Sequence, residues 1–381
     1  MIDFDKIINR KNTNSIKFEV FSSVNNGDVI PLWIADMDFA CPECVLDEIK
    51  KRLDDKILGY TGIFDDEYYQ IVCDWMKEKH DIVCDKDNIV FSNGVVSAMK
   101  QTVNRLTQKG DKVLILTPSY TPFFTSTVLF EREPLLCPLK NTGDNWEIDF
   151  EDFEKKASQS KLFFFCSPHN PIGKVWSKEE IEKIVEICKK YDLFIFSDEI
   201  HHDILRTGVE HVATQTLCRD YPKLITATSV SKTFNLAGMS ISNIIFNDKE
   251  IASQWRAVHA CGSPNPLSLA ACKAAYSKCH NWLRELKLYL DKNFAFTKEF
   301  LAEHLPKAKF NVPQGTYLAW IDLSGYGLSE SELKSKLESV GVIVEYASDF
   351  VANGDGFIRA NVALPKSILH DALQRIKIAL N

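Results

Sequence analysis

Short apolar runs alternate with longer amphipathic stretches from about residue 88 to about residue 228. Apolar runs of this length, bounded by turn-forming residues, are typical of strands buried on both faces. Their alternation with amphipathic helices indicates a largely parallel sheet that is covered by helices on both sides. The predicted strands are NIVFS, KVLIL, KLFFFCS, LFIFS and KLITATS.

The segments between these strands have helical periodicity. VVSAMKQTVNRL follows the first strand, and SKEEIEKIVEICKKY follows the third. Ser177 and Glu180 have the spacing of a capping box at the start of the second of these helices. The sequence therefore predicts strand, loop and helix units in an α/β fold.

The last hundred residues follow a different pattern. One long helical stretch precedes two strand-like segments, an arrangement that indicates a smaller α+β domain. A chain of 381 residues is also long enough for two domains. We predict a large domain over residues 46–280 and a small domain that combines residues 1–45 with 281–381. The segments concerned are NWLRELKLYLDKNFAFTKEFLAEHL, FNVPQGTYLAWIDL and GFIRANVALP.

Composition narrows the class of protein. The 45 Lys and Arg residues against 52 Asp and Glu residues give a formal charge of −7, which does not suit a nucleic-acid or membrane-surface binder. No apolar run reaches the roughly eighteen residues of a transmembrane helix, and the polar N-terminus lacks the apolar segment of a signal peptide. We therefore expect a cytoplasmic protein with no nucleic-acid or membrane partner. Its eleven cysteines are most simply free thiols.

Two short patterns raise the question of a metal ion. Cys41 and Cys44 in CPEC have zinc-like spacing, but a structural zinc site needs four ligands and no second close pair occurs. In the HHD sequence, His202 and Asp203 are adjacent, and adjacent residues of an extended segment point to opposite faces. We therefore expect no metal site and a structural role for His202.

Polar residues collect where the predicted strands end. Gly94, Tyr120, Asn170, Asp198 and Lys232 each follow a different strand. Each alone has an ordinary explanation, such as a turn, a helix cap or a solvated loop. However, open α/β sheets bind ligands beyond the carboxyl ends of their strands. Five such placements on one sheet edge therefore predict a single site.

These side chains share a chemical logic. A buried lysine such as Lys232 can lose its proton and form a Schiff base with an aldehyde. Asp198 can hold a protonated pyridine nitrogen, which makes the ring an electron sink. An aromatic residue stacks on a flat ring, and a glycine before a helix leaves backbone N–H groups free for a phosphate. The set predicts a pocket for pyridoxal 5′-phosphate.

Ten segments in order give the chain a family resemblance. They are PLWIADMDF, GYTG, FSNGVVSAMK, TPSYTPF, SPHNPIGKVW, SDEIH, SVSKTFNLAG, NWLRELKLYLDKN, GTYLAWIDL and GFIRANVALP. With them the chain resembles the fold-type I pyridoxal-phosphate enzymes of the aminotransferase class I/II superfamily, and within them the cystathionine β-lyase (C–S lyase, MalY/PatB-like) branch. This resemblance implies a mostly parallel sheet of the seven-stranded type, sandwiched by helices, plus a smaller α+β domain.

The resemblance implies roles around the cofactor ring. Lys232 is similar to the Schiff-base lysine, and Asp198 to the partner of the pyridine nitrogen. Asn170 is expected to hydrogen-bond the phenolic oxygen of the ring. His201 lies where many aminotransferases have a tyrosine that faces the same oxygen. Tyr120 is expected to stack on the ring.

Further residues are expected to hold the phosphate and the substrate. The resemblance assigns the phosphate to the backbone of Val95 and Val96 and to the hydroxyl of Ser229. It implies that Tyr60 reaches the phosphate of the neighbouring subunit in a homodimer with shared active sites. Arg359 is expected to bind the substrate α-carboxylate, to which its bidentate fork is suited.

The sequence departs from the family pattern in two places. Aminotransferases of this superfamily usually have an arginine eight residues after the lysine, where it pairs with the phosphate, and this chain has Ser240 there. The C–S lyase branch often lacks this arginine too, so the departure favours that branch. Ala347 replaces a glycine that is common in the family, and we have no functional account of that change.

The resemblance implies α,β-elimination of an S-substituted L-cysteine, such as cystathionine, to pyruvate, ammonia and a thiol. The free amine of Lys232 is expected to remove the Cα proton, after burial has lowered its pKa. An aminotransferase of class I/II is the main alternative, because it uses the same lysine, aspartate and arginine. A regulatory binding protein is a further alternative, since some members of the branch also bind a transcription activator.

Overall fold

The computed structural model describes residues 2–143 and 145–381. Its strands are β1 (Ile30–Pro31), β2 (Ile89–Ser92), β3 (Lys112–Thr117), β4 (Ser119–Tyr120), β5 (Glu133–Asn141), β6 (Trp146–Ile148), β7 (Ser160–Cys166), β8 (Phe194–Asp198), β9 (Leu224–Thr228), β10 (Ser242–Phe246), β11 (Leu318–Asp322), β12 (Val342–Ile343), β13 (Glu345–Tyr346), β14 (Phe350–Val351) and β15 (Phe357–Asn361). Its helices are α1 (Ile16–Glu19), α2 (Glu43–Leu53), α3 (Asp66–His80), α4 (Val95–Leu106), α5 (Thr121–Leu129), α6 (Phe150–Ala157), α7 (Lys178–Lys190), α8 (Val230–Thr233), α9 (Lys249–Ala257), α10 (Pro266–Lys278), α11 (His280–His304), α12 (Glu330–Ser339) and α13 (Lys366–Leu380).

The main sheet confirms the predicted α/β architecture. Its strand order is β2-β10-β9-β8-β7-β3-β5-β6. The strands from β9 to β5 run parallel, whereas β10 runs antiparallel to both β9 and β2. Seven strands therefore form the sheet of the predicted type, and the short β6 adds an eighth, antiparallel strand at the β5 edge.

Both faces of this sheet are buried, as the uninterrupted apolar runs predict. Successive side chains of a strand point to opposite faces. Leu114 and Leu116 of β3 accordingly pack in one hydrophobic core with α7. Val113 and Ile115 of the same strand pack in another core with α4. Helices therefore cover the sheet on its two sides.

A second unit combines the C-terminal residues with the N-terminal segment. Strands β11, β15 and β13 form an antiparallel sheet, and β1 pairs parallel with β12. Ile30 and Leu32 belong to the same hydrophobic core as Phe294 of α11 and Leu373 of α13. This shared core supports the predicted division into two domains, which stays a prediction.

Local sequence signals account for several helix ends. The side chain of Ser177 accepts from the backbone N–H of Glu180, and the Glu180 side chain accepts from the backbone N–H of Ser177, which confirms the capping box of α7. The long helix α11 covers His280–His304 as its periodicity predicts. None of the helices within residues 2–143 and 145–381 has both the length and the apolar character needed to span a bilayer.

Candidate active site

A cavity of about 490 Å³ lies at the carboxyl ends of the main-sheet strands. Nine of the ten residues predicted for the site line it. A larger cavity of about 800 Å³ lies around Trp146 and Lys309, and it contains none of the predicted residues. The predicted site residues therefore lie together in the smaller cavity. The nine residues are Val95, Val96, Tyr120, Asn170, Asp198, His201, Ser229, Lys232 and Arg359.

Lys232 lies in the short helix α8, directly after β9. Its Nζ donates a hydrogen bond of 2.7 Å to the backbone carbonyl of Ala35. Burial and, to a smaller extent, the nearby Arg359 guanidinium lower the pKa of Lys232 to about 8, although the carboxylates of Asp36 and Asp198 act in the opposite direction. A substantial fraction of this amine is therefore neutral near pH 7 to 8, as a nucleophile or base must be.

Asp198 is the last residue of β8 and is buried. One of its carboxylate oxygens accepts a hydrogen bond of 3.2 Å from the backbone N–H of Ile200. Burial raises the pKa of Asp198 to about 7, while this hydrogen bond and Lys232 oppose the increase. A cationic N–H group placed beside it would restore the ionised carboxylate.

The start of α4 forms a cradle for an anion. Gly94 precedes the helix with a φ of +131°, and no side chain caps the first turn. The leading backbone N–H groups of a helix have no intrahelical acceptor, so those of Val95 and Val96 are available to an oxyanion. The helix dipole adds to this attraction.

The Ser229 hydroxyl near this cradle already has partners in the protein. Ser229 Oγ lies 2.7 Å from the backbone carbonyl oxygen of Ile241 and accepts from the backbone N–H of Ser231 at 3.0 Å. Ser240 also lines the cavity and has a left-handed backbone, with φ of +49°. The cationic residues among those lining the cavity are Lys232 and Arg359, so this cradle depends on backbone groups and hydroxyls.

Two ring side chains line the same cavity as Lys232 and Asp198. Tyr120 is half-buried, and its strand β4 pairs with β14, where Phe350 lies opposite it. His201 is buried, and its Nδ1 has no hydrogen-bond partner among the residues that the structure describes. Burial lowers the pKa of His201 well below its ordinary value, and Lys232 lowers it further. The imidazole is therefore neutral and has a ring nitrogen free for a ligand.

Arg359 and Asn170 form the opposite wall. Arg359 Nη1 donates to Asn170 Oδ1 at 2.7 Å, and Nη2 donates to the backbone carbonyl of Trp33 at 3.1 Å. Glu345 also contacts the guanidinium as an ion pair. Burial lowers the pKa of Arg359 to about 10, which still leaves it protonated at neutral pH. The hydrogen bond to Oδ1 orients the Asn170 amide, so that its NH₂ group can donate elsewhere.

Tyr60 lies outside the cavity of its own subunit. Its side chain is fully exposed, as are large parts of the apolar residues Ile57, Leu58 and Phe64 around it. The structure therefore does not bring Tyr60 together with the other nine residues, and its predicted role in a neighbouring subunit stays a prediction.

Several residues in or beside the cavity were not predicted from the sequence. Trp33 and Ala35 belong to the PLWIADMDF segment, and their backbone carbonyls contact Arg359 and Lys232. Tyr317 donates to the Ala35 carbonyl at 2.9 Å. Only the family segment pointed to this region, because a backbone carbonyl leaves no residue-type signature. Glu345 was missed because a glutamate in a short strand has an ordinary surface explanation.

The HHD segment differs from its predicted geometry. It forms a turn, not an extended strand, and Asp203 accepts from His80 Nε2 and from Thr233 Oγ1, both at 2.8 Å. The donor atoms of His80, His202 and Asp203 are close enough to hold a metal ion, so the geometric reason for expecting none is wrong. The Asp203 carboxylate nevertheless already has two hydrogen-bond partners.

The residues of the cavity fit pyridoxal 5′-phosphate. The neutral fraction of Lys232 suits the aldehyde, and Asp198 suits a protonated ring nitrogen. The orphaned Nδ1 of His201 and the free amide of Asn170 suit a phenolic oxygen. The uncapped start of α4 suits the phosphate.

Comparison with known proteins assigns the family. Residues 27–376 match the sequence profile described as aminotransferase class I and II. The chain belongs to the aminotransferase class I and II family. Within this family it is 38% identical to cystathionine beta-lyase PatB of Bacillus subtilis, over 100% of both chains. It is 29% identical to protein MalY of Escherichia coli, over 97% of this chain and 96% of MalY.

Solved structures of family members give the same assignment. The PLP-bound C-S lyase from Staphylococcus hominis superposes with a TM-score of 0.95 at 42% identity, covering 99% of this chain and 98% of the lyase. Cystalysin from Treponema denticola, which contains a pyridoxal 5′-phosphate cofactor, superposes with a TM-score of 0.95 at 36% identity, covering 100% and 99%. The predicted fold type is therefore confirmed.

Proposed function

We propose that this protein is a pyridoxal-phosphate-dependent C–S lyase. It converts an S-substituted L-cysteine and water to pyruvate, ammonia and a thiol. The observation that supports this most strongly is the buried amine of Lys232, whose pKa falls to about 8 in a cavity that also contains Asp198 and Arg359. The similarity to PatB and to the Staphylococcus hominis lyase supports elimination as the reaction.

The cofactor supplies an aldehyde that condenses with amino groups and a ring that accepts electrons from the substrate Cα. Lys232 would hold the cofactor through its aldehyde, and its amine, when free, would be a general base for the substrate Cα proton. Asp198 keeps the ring nitrogen protonated, because an ionised carboxylate in a buried site stabilises an adjacent N–H cation. Asn170 and His201 would orient the ring through its phenolic oxygen, and Tyr120 would stack on it.

Substrate orientation depends on Arg359. The guanidinium binds the α-carboxylate, which places the Cα–H bond near Lys232. With the Cα proton on Lys232, the sulfur substituent would leave Cβ as a thiolate that the same amine can protonate, and the released aminoacrylate would take up water to give pyruvate and ammonia. These steps require no cysteine nucleophile from the protein.

The phosphate is held without an arginine at position 240. We assign it to the backbone N–H groups of Val95 and Val96, together with the hydroxyl of Ser229. Backbone donors at a helix start suit a dianion, because they combine hydrogen bonds with the helix dipole. Tyr60 of a second subunit supplies a further contact.

A homodimer with shared active sites accounts for the exposed apolar residues around Tyr60. Phe64 has 94% of its side chain exposed and Ile57 has 73%. Clustered exposed apolar residues typically mark an interface. Burying them against a second copy would bring Tyr60 to the site of that copy. We also expect a cytoplasmic location.

An aminotransferase is the second candidate, because the chain is 28% identical to the probable aspartate aminotransferase of Methanocaldococcus jannaschii. The deciding experiment incubates the holoenzyme with L-cystathionine and measures pyruvate and thiol without an added keto acid. A lyase forms both products continuously. A requirement for a keto acid would instead identify the aminotransferase.

The Lys232→Ala variant is the control for that experiment. It should retain the fold but lose at least about a thousandfold in turnover and lose the absorbance band of the lysine-bound cofactor. Pyruvate release at the wild-type rate by this variant would contradict the proposed mechanism.

A further inference from the structure

Glu345 lies directly beside the residue that is proposed to bind the substrate carboxylate. It belongs to β13, where its Cα pairs with the Cα of Arg359 in β15. Both side chains line the active-site cavity. The Glu345 carboxylate forms an ion pair with Nη2 of Arg359. The strand register and the side-chain contact thus place the Glu345 carboxylate against the guanidinium of Arg359.

The partners of Arg359 leave one side of the guanidinium for a ligand. Nη1 donates to Asn170, and Nη2 donates to the Trp33 carbonyl, so protein groups that are part of the wall occupy these positions. Glu345 is the only carboxylate that is ion-paired with Arg359 within residues 2–143 and 145–381. It has the same functional group as an amino-acid substrate, and an arginine fork binds both in the same way.

Glu345 can also leave this position. Its side chain is 21% exposed, whereas that of Arg359 is 3% exposed. Although the contacting Oε2 is buried, Glu345 is the more exposed member of the pair, and rotation of its side chain towards water would compensate the lost contact. The buried guanidinium cannot rehydrate in this way and needs a replacement anion.

We propose that Glu345 occupies the α-carboxylate subsite when no substrate is bound, and that the substrate must displace it. This inference rests on the proposed role of Arg359 and concerns binding alone, so it holds for a lyase or an aminotransferase. Glu345 thereby sets a lower affinity for every amino acid, and it keeps the buried guanidinium paired between turnovers.

The test uses binding of L-alanine, which has no β-leaving group. Holoenzyme is titrated with L-alanine, and the dissociation constant is read from the change in the cofactor absorbance and from calorimetry. Glu345→Gln keeps the shape of the side chain but removes its charge, and it should bind L-alanine about tenfold more tightly. Glu338→Gln is the matched control, because Glu338 is also half-buried but lies in α12 without an ion pair.

A double-mutant cycle identifies the route of the effect. Arg359→Lys removes the bidentate fork but keeps the charge, and in this background the Glu345→Gln change should alter the dissociation constant less than twofold. An unchanged or weaker affinity in the single variant would overturn the proposal, because it would mean that Glu345 only supports Arg359. An equal gain in affinity for L-alanine in the wild-type and Arg359→Lys backgrounds would also overturn the proposal. If the enzyme formed no pyruvate from cystathionine, the lyase function would be contradicted. The dissociation constants for L-alanine would still test the role of Glu345.

Discussion

At the residue scale, burial is the physical cause that makes ordinary side chains reactive in this site. It lowers the pKa of Lys232 and raises that of Asp198, so both move towards neutral pH from opposite directions. Sequence alone could predict which residues gather here, since they follow successive strands. It could not predict Glu345, because its role depends on the pairing of β13 with β15.

When no cofactor is bound, the buried carboxylate of Asp198 lowers the free energy of unfolding of the protein. Its folded pKa of about 7 exceeds the ordinary 3.8, so the folded state binds more protons between these values and the free energy of unfolding falls as pH rises through them. At pH 8, Asp198→Asn apoprotein should therefore be more stable than wild type by up to about 4 kcal/mol. Urea denaturation at several pH values measures this difference.

The extra stability of the Asp198→Asn apoprotein should disappear below about pH 4, where the Asp198 carboxyl of the unfolded wild-type chain is also protonated. Asp87→Asn, which changes an exposed carboxylate, is the control and should show no comparable gain. A stability difference that does not change with pH would contradict this account. The same Asp198 variant should bind the cofactor more weakly.

At the scale of elements, the site depends on how single segments begin and where they are anchored. Helix α4 begins without a side-chain cap, which leaves its first N–H groups for an anion. Helix α8 has only four residues, and Thr233 beside Lys232 donates to Asp203. Such a short helix is held by tertiary contacts, because propensity alone cannot stabilise it.

The φ of Gly94 gives a prediction for the cradle. At +131° an L-residue is strained, although no atom lies within 4 Å of the position of an added Cβ. Gly94→Ala should therefore weaken cofactor binding about tenfold or more, as measured by equilibrium dialysis. Gly110→Ala is the matched control, because Gly110 also has a positive φ, +84°, and open space around it, but it lies outside the cavity. A similar loss of affinity in both variants would contradict the cradle.

Asp203 gives a prediction for the anchoring of α8. It is buried and accepts from both His80 and Thr233. Asp203→Asn should lower the free energy of unfolding by about 3 kcal/mol at pH 7, since it leaves a buried partner unpaired. The neighbouring His202 and His80 hold the pKa of Asp203 well below its ordinary value, so the wild-type advantage should shrink as pH falls below about 4.

At the scale of the whole molecule, the sequence predicted the α/β sheet, its covered faces and the long helix α11. It did not single out β5, whose apolar run is interrupted by Pro134 and Pro138, or β10, which runs antiparallel to its neighbours. Pairing between strands distant in sequence decides such elements, and periodicity carries no information on it. The division into residues 46–280 and the two flanking segments stays a prediction.

The proposed shared active site gives a prediction for the assembly. Neither Lys232→Ala nor Tyr60→Ala should be fully active alone. If Tyr60 acts across the interface, a mixed dimer contains one site with both wild-type residues. Unfolding and refolding an equal mixture should therefore restore about a quarter of wild-type activity, by statistical pairing of subunits. Activity no higher than the mean of the two separate variants would place Tyr60 in its own subunit or outside the mechanism.

The segment from Trp33 to Ala35 places two backbone carbonyls against the site. The carbonyl of Trp33 contacts Arg359, and the carbonyl of Ala35 accepts from both Lys232 and Tyr317. For protein engineering, the path of the chain matters here together with the Trp33 side chain, whose Nε1 donates to the Lys17 carbonyl at 3.0 Å. A deletion of one residue here would shift both carbonyls and thereby misplace Lys232 and Arg359 together. The length of this segment is therefore the quantity to preserve in a redesign.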